Sequence, residues 1–111
     1  MKKTPPTLPD LQARVDAWIN QWDEGYFSPL SNLARLTEEL GELARAINHL
    51  HGDKPPKSTE GKGDPAEELA DMLFVILALA NSLDIDLDEA LNQVFKKYNV
   101  RDAGRFTPRE P

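Results

Sequence analysis

The apolar residues of this chain recur at helical spacing in two long segments. In the first, residues 28–51, the steps between them alternate between three and four, which places them on one narrow helix face. In the second, residues 64–83, the run MLFVILALA surrounds nearly the whole circumference of a helix. No segment alternates apolar and polar residues as a half-buried strand does. The pattern therefore predicts an all-α fold resembling a four-helix bundle.

Capping signals set the bounds of the four predicted helices. A Ser, Thr or Asp precedes each helical pattern, and an acidic residue follows three positions later in three of the four cases, as in a capping box. Glycine at position 52 ends the second helix. The predicted helices run from about residue 8 to 23, 29 to 51, 65 to 83 and 87 to 99. The N-caps are Thr7, Ser28, Asp64 and Asp86. The segment 52–63, rich in Gly, Pro and Lys, is predicted to be a mobile surface loop.

Length and composition favour one globular domain, residues 1–111, with its core at about 8–106. Hydrophobic residues make up 40% of the chain and charged residues 29%, which is not the composition of a disordered protein. The formal net charge of −6 disfavours binding to nucleic acid, whose phosphates would be repelled. The absence of cysteine excludes disulfides and thiol chemistry.

The chain shows no targeting or membrane signal. The opening MKKTPPTLPD has no apolar stretch after its lysines, unlike a signal peptide. The longest apolar run, residues 72–80, is too short to cross a bilayer. We therefore expect a cytoplasmic protein without a membrane partner.

Two acidic pairs share the same spacing on successive predicted helices. Glu39 and Glu42 lie beside the apolar stripe of the second helix, and Glu68 and Asp71 lie at the start of the apolar third helix. Residues three apart are neighbours on a helix face, so antiparallel packing would bring four carboxylates together. Such a cluster requires a cation, and oxygen ligands favour Mg²⁺, with Mn²⁺ able to substitute. The alternative is two solvated helix faces, and Glu67 is already explained as a capping residue.

Three stretches of the sequence resemble the MazG-like nucleoside triphosphate pyrophosphohydrolases of the all-α NTP pyrophosphatase superfamily. They are EELGELARAI, EELADMLFVILALA and KKYNVRDAGRF, and the resemblance covers about residues 18–106. The superfamily pattern E-x-x-E followed by E-x-x-D is matched by the four carboxylates named above. The resemblance implies that they bind magnesium, and that the enzyme hydrolyses an NTP or dNTP to the nucleoside monophosphate and pyrophosphate.

Further site residues follow from this resemblance and from the chemistry that it implies. Glu38, next to the predicted ligand Glu39, is the candidate that orients or deprotonates the attacking water. Matches to the C-terminal motif of the family make three more residues candidates for substrate binding: Lys97, Asp102 and Arg105. Two residues from the first half of the chain are also candidates for nucleotide contacts: Trp22 and Asn32. Trp18 and Trp22 are four apart and could stack on a base or belong to the core, and we expect at least one of them to be a core residue.

Two other functions remain open at the level of sequence. One is a phosphoribosyl-ATP pyrophosphohydrolase-like activity, which uses the same carboxylate scheme. The other is a non-catalytic helical interaction module whose carboxylates are only surface groups. The sequence does not determine the base or sugar of the substrate, nor whether its role is control of normal nucleotides or removal of abnormal ones.

The third helix also predicts self-association. From Met72 to Ala80 it has no polar stripe, although a helix in a four-helix monomer normally leaves one face in water. A second copy of the chain is the simplest cover, and members of the resembled family form dimers or tetramers. We therefore expect a homodimer or tetramer.

Overall fold

The computed structural model describes residues 4–57 and 63–110. Within these ranges it contains four α-helices and no strand, which confirms the predicted all-α class. The helices are α1 (Leu8–Asn20), α2 (Pro29–His51), α3 (Pro65–Ser82) and α4 (Leu87–Arg101). Of the predicted loop 52–63, residues 58–62 lie outside the described residues, and 52–57 are not helical.

Each helix begins at the N-cap that the sequence predicts. At α1 the capping box is complete, because Thr7 and Asp10 each accept a hydrogen bond from the other's backbone N–H. Asp64 and Asp86 also cap their helices. In the described residues, however, the glutamate three positions later does not accept a hydrogen bond from the backbone N–H of the capping aspartate. Asp64 accepts from the N–H of Ala66, and Asp86 accepts from the N–H groups of Asp88 and Glu89, so the capping boxes predicted at α3 and α4 are both incomplete in the part of the chain that the structure describes.

The ends of α1 and α4 depart from prediction by three and two residues, whereas α2 ends at His51 as predicted and α3 at Ser82, one residue early. α1 stops at Asn20 and not near Asp23, and the chain then turns at Gly25, whose φ of +62° favours glycine. α4 continues to Arg101, two residues beyond its predicted end. The short turn after α1 brings Tyr26 back toward the first helix, where its hydroxyl donates a 2.5 Å hydrogen bond to Asp16.

The core lies on α3, which packs between α1 and α2. Val15 and Ile19 of α1 form a buried cluster with Leu77 and Ala78 of α3. Ala46 of α2 is also almost fully buried. A Cβ at Gly63, just before α3, would approach within 2.6 Å of the Ala46 Cβ, so glycine permits the close approach of the two segments.

A polar network joins α1 to the turn between α3 and α4. The Gln12 side chain donates to the Asn81 side chain (3.0 Å) and to the Ile85 carbonyl (2.8 Å), and it accepts from the Leu87 N–H (3.0 Å). Asn81 in turn donates to the Gln12 carbonyl (2.9 Å). The network fixes the start of α4, which lies against α1.

The two longest helices remain partly uncovered within one chain. Val75 and Leu77 of α3 are buried, but Leu69 on the same helix is 55% exposed. The apolar stripe of α2 does not have a full cover either, since Leu40 is 53% exposed. The apolar circumference of α3 is therefore only partly covered within one chain, since Ile76 in its second half is also 37% exposed. No helix within the described ranges has the length and apolarity that crossing a membrane requires.

Candidate active site

Three of the four predicted metal ligands converge between α2 and α3. One carboxylate oxygen from each of Glu39, Glu68 and Asp71 lies within 4.8 Å of the others, and all three residues are half-buried. Glu68 and Asp71 are one helical turn apart on α3, and Glu39 faces them from α2. Three carboxylates this close make a donor set that a divalent cation can occupy, because it would relieve their mutual repulsion.

The charge of this cluster is visible in the pKa of Glu68, which is raised above its usual value. Partial burial is the largest cause, followed by the negative charges of Asp71, Glu39 and Glu42. The shift has the direction expected for a carboxylate that shares a site with other carboxylates. The cluster therefore carries concentrated negative charge, which a bound cation would neutralise.

Glu42, the fourth predicted ligand, lies outside this group of three. Its carboxylate contacts the guanidinium of Arg45 at 3.4 Å, and both side chains are about half-exposed. An exposed ion pair of this kind contributes only about 0–1 kcal/mol, so Arg45 holds Glu42 in this position only weakly. Glu38, the candidate that orients water, is exposed on α2 beside Glu39.

A cavity of about 800 Å³ lies directly beside the carboxylates. Asp71 belongs to both features: it is one of the three clustered acids, and it lines the cavity. The volume is within the range of small-molecule sites, about 300–1,000 Å³. The lining residues come from α1, the turn after it, α2 and α3: Trp18, Ile19, Trp22, Glu24, Gly25, Tyr26, Phe27, Asn32, Arg35, Ala70, Asp71, Phe74 and Ala78.

Aromatic rings form one wall of the cavity. Trp18 stands edge-to-face with Trp22, at 6.1 Å between ring centroids, and with Phe74, at 5.6 Å. Both tryptophans are 54% exposed, so the expectation that one of them is a core residue is wrong. Aromatic residues four apart on a helix are compatible both with a core and with a cavity wall. The spacing of the two tryptophans therefore does not distinguish these locations.

Polar groups also line the cavity. Asn32 of α2 is only 2% exposed and lines it, as the sequence-based assignment to a nucleotide contact requires. Tyr26 lines it as well, and partial burial together with its bond to Asp16 raises its pKa to about 12. The tyrosine hydroxyl is therefore a neutral donor at neutral pH.

Sequence reasoning missed two lining residues that the spacing already contained. Arg35 lies three positions after Asn32 and four before Glu39, which puts all three on one side of α2. On α3, Phe74 lies three positions after Asp71 and therefore on the same side of that helix. An arginine near acidic residues on a helix is usually a solvated group, and a phenylalanine in an apolar run is usually core, so neither drew attention.

The C-terminal candidates are not brought to the cavity. Asp102 accepts hydrogen bonds from Arg101, at 2.9 and 3.0 Å, and has a longer contact with Arg105, at 3.4 Å. These arginines lower the pKa of Asp102, with Arg101 the largest cause. Lys97 is exposed above the Tyr98 ring, 5.6 Å from its centroid. The three predicted residues lie on or just after α4, and none of them lines the cavity within this chain.

The sequence profile of the MazG nucleotide pyrophosphohydrolase domain matches residues 27–106, about three quarters of the chain. This chain belongs to the MazG family. The matched region contains all four predicted carboxylate ligands and the C-terminal motif, and it agrees with the resemblance drawn from the sequence.

Relatives of known sequence and structure agree with this assignment. The chain is 57% identical to the Bacillus subtilis protein YpjD over 94% of both chains, and 36% identical to the dATP/dGTP diphosphohydrolase of Cyanophage S-2L over 78% of this chain and 69% of that protein. The crystal structure of B. subtilis YPJD superposes with a TM-score of 0.78 at 56% identity, covering 87% of this chain and 99% of that one.

A second solved structure carries a functional description. It is the Bacillus-conserved MazG protein, a nucleotide pyrophosphohydrolase, and it matches with a TM-score of 0.76 at 50% identity over 90% of this chain and 97% of that one. The MazG chain described here is therefore a nucleotide pyrophosphohydrolase with a MazG-type all-α fold. This confirms the predicted enzyme class, and it disfavours the purely structural interaction module.

Proposed function

We propose that this enzyme hydrolyses nucleoside triphosphates, NTP or dNTP, to the nucleoside monophosphate and pyrophosphate in a magnesium-dependent reaction. The observation that carries the proposal is the double position of Asp71. Because this residue both lines the cavity and belongs to the carboxylate cluster, a nucleoside in the cavity would place its phosphates at the cluster. A single bound nucleotide would then occupy both features.

The cavity supplies the contacts that a nucleoside requires. Trp18, Trp22 and Phe74 offer aromatic surface to a base, and base–aromatic stacking contributes about 1–3 kcal/mol. Asn32 offers a hydrogen-bonding amide from a nearly buried position. The cyanophage relative named for dATP and dGTP makes these two nucleotides the first substrates to test.

Glu39, Glu42, Glu68 and Asp71 are the residues that would hold the cation. When bound, a divalent cation supplies positive charge to the phosphates and increases the acidity of a coordinated water. Mg²⁺ is the proposed ion and Mn²⁺ its substitute, since both prefer oxygen ligands. In an enzyme with a net charge of −6, this charge also overcomes the repulsion of an anionic substrate.

The bond that breaks joins the α-phosphorus to the bridging oxygen of the β-phosphate. Water attacks the α-phosphorus, pyrophosphate leaves with the bridging oxygen, and the water proton passes to a base. Glu38 is the proposed base, because it is exposed beside Glu39 and its carboxylate is not committed to a salt bridge within the described residues.

The proposal is tested with a panel of NTPs and dNTPs incubated with Mg²⁺ or Mn²⁺, including phosphoribosyl-ATP to address the remaining alternative. Pyrophosphate and the monophosphate should appear in equal amounts, and in ¹⁸O-water the label should enter the monophosphate. Label in pyrophosphate would indicate attack at the β-phosphorus. Orthophosphate and a nucleoside diphosphate as first products would contradict the proposal.

The ligand assignment is tested separately with Asp71→Ala and Glu42→Ala. Each should abolish metal-dependent turnover while retaining the helical circular dichroism spectrum, since these carboxylates contribute to binding the cation and not to the core. Glu67→Ala, which removes an exposed carboxylate from the same turn of α3 as Glu68, is the control and should retain turnover. Near-normal turnover of Asp71→Ala would remove that residue from the proposed ligand set.

A further inference from the structure

Among the lining residues of the cavity in the described part of the chain, Arg35 is the one that carries a positive charge. It is half-buried on α2, and its guanidinium carbon lies 5.8 Å from the centroid of the Phe74 ring. Within residues 4–57 and 63–110 the salt bridges involve other arginines, each paired with Glu42 or Asp102. The guanidinium of Arg35 is therefore not committed to a carboxylate of this described part of the chain.

The position of Arg35 along α2 lies between the two halves of the site. Asn32, in the cavity wall, precedes it by three residues, and Glu39, in the carboxylate cluster, follows by four. Four residues correspond to a rise of about 6 Å along a helix axis. A nucleotide with its nucleoside in the cavity and its outer phosphates at the cluster would present, near this point, the phosphate attached to the sugar.

We propose that Arg35 binds the α-phosphate of the nucleotide, an inference that rests on the proposed function of the same site. A guanidinium presents two parallel N–H donors that match two phosphate oxygens. The guanidinium lies over the Phe74 ring, and this contact limits where it can lie. Because the α-phosphate stays with the nucleoside after cleavage, Arg35 contacts both the substrate and the monophosphate product, and it orients the phosphorus for attack.

The experiment compares Arg35→Gln and Arg35→Lys with the wild-type enzyme in calorimetric titrations at constant Mg²⁺. The three probes are deoxyadenosine, its 5′-monophosphate and inorganic pyrophosphate. The wild type should bind the monophosphate more tightly than the nucleoside. Arg35→Gln should weaken monophosphate binding by about tenfold or more, since a charge-assisted hydrogen bond contributes about 1.5–3 kcal/mol. Its affinities for deoxyadenosine and pyrophosphate should stay unchanged.

Two matched variants make the result specific. Arg35→Lys keeps the charge and loses the paired donors, so its monophosphate affinity should fall between those of the wild type and Arg35→Gln. Arg14→Gln removes the same type of side chain from an exposed position on α1 and should bind all three probes as the wild type does. Unchanged thermal midpoints for all three variants would show that the fold is intact.

Three results would overturn the inference. The first is that the wild type binds the nucleoside and the monophosphate with equal affinity. The second is that Arg35→Gln loses affinity for both ligands to the same extent. The third is that Arg35→Gln binds the monophosphate as tightly as the wild type does. The titrations do not depend on turnover. A failure to release pyrophosphate from any triphosphate would thus refute the proposed function alone, whereas one of these three results in an active enzyme would refute the role of Arg35.

Discussion

At the scale of single residues, helical spacing predicts which carboxylates can meet but not how each one is oriented. Glu39, Glu68 and Asp71 come together because residues three apart share a helix face and because α2 and α3 pack along their length. Glu42 has the same spacing, yet it contacts Arg45. Arg45 competes with the cluster for the Glu42 carboxylate. The spacing of the acidic residues alone does not predict this competition.

The cavity shows the complementary limit of single-residue reasoning. Asn32 could be assigned to the site from its place before the acidic segment, but Arg35 and Trp18 could not. Both have ordinary alternative explanations in a helical sequence, a solvated cation and a core aromatic. Only the packing of α1 and α2 against α3 brings these side chains to one space, and that packing depends on contacts between segments far apart in sequence.

The raised pKa of Glu68 leads to a prediction for metal-free protein. A group with a higher pKa in the folded than in the unfolded chain stabilises the fold below its unfolded pKa, and that contribution is lost as the pH rises through the folded pKa. Glu68→Gln is neutral at every pH. It should therefore have a higher thermal midpoint than the wild type at pH 7 in the presence of a chelator, and the difference should close near pH 4.

Glu67→Gln is the matched control for that measurement. It also removes a negative charge from the first turn of α3, so both variants lose the same favourable interaction with the helix dipole. Its side chain is outside the group of three clustered acids, and its effect on the midpoint should be smaller. Equal midpoints for the two variants at pH 7 would show that crowding of the carboxylates does not destabilise the metal-free fold.

At the scale of helices, the sequence predicted where they begin far better than where they end. All four N-caps were found because a side-chain oxygen that accepts from a free backbone N–H leaves a compositional signal. The end of α1 at Asn20 is decided by the turn that returns Tyr26 to Asp16, a contact between residues ten apart. Local composition does not contain that contact, and the predicted end near Asp23 is therefore wrong.

Gln12 provides a prediction about how the helices are held together. Its amide joins α1 to the end of α3, to the turn that follows and to the start of α4 through three hydrogen bonds. Gln12→Ala should lower the free energy of unfolding by about 1–3 kcal/mol, because a net hydrogen bond contributes about 0.5–1.5 kcal/mol and backbone groups lose their partner. Denaturant titration measures the change. Gln93→Ala, on the exposed side of α4, should have little effect, and an equal loss in both variants would contradict a special role for Gln12.

At the scale of the whole molecule, one chain is too open for its mass. Its radius of gyration is 18.2 Å, whereas a compact chain of this length has about 13 Å. Its accessible surface is 9159 Å², against about 6,200 Å² for a typical folded monomer of 12.5 kDa. Part of the excess is apolar surface on the two longest helices, at Leu33 and Leu40 of α2 and at Leu69 and Leu73 of α3. Hydrophobic periodicity predicts that these faces are buried against other protein surface. It does not determine whether that surface belongs to the same chain or to another.

We predict that a second copy of the chain covers these faces. Burial of a leucine side chain contributes about 1.5–3 kcal/mol, so a few of them suffice to hold a two-fold interface. Light scattering after size exclusion at micromolar concentration should give at least twice the 12.5 kDa mass of one chain.

Leu40→Glu should lower the mass toward that of one chain, because it buries a charge in the interface. Ala13→Glu, on an exposed position of α1, should leave the assembly intact. A wild-type mass near 12.5 kDa would refute the prediction, and four times that mass would identify a tetramer.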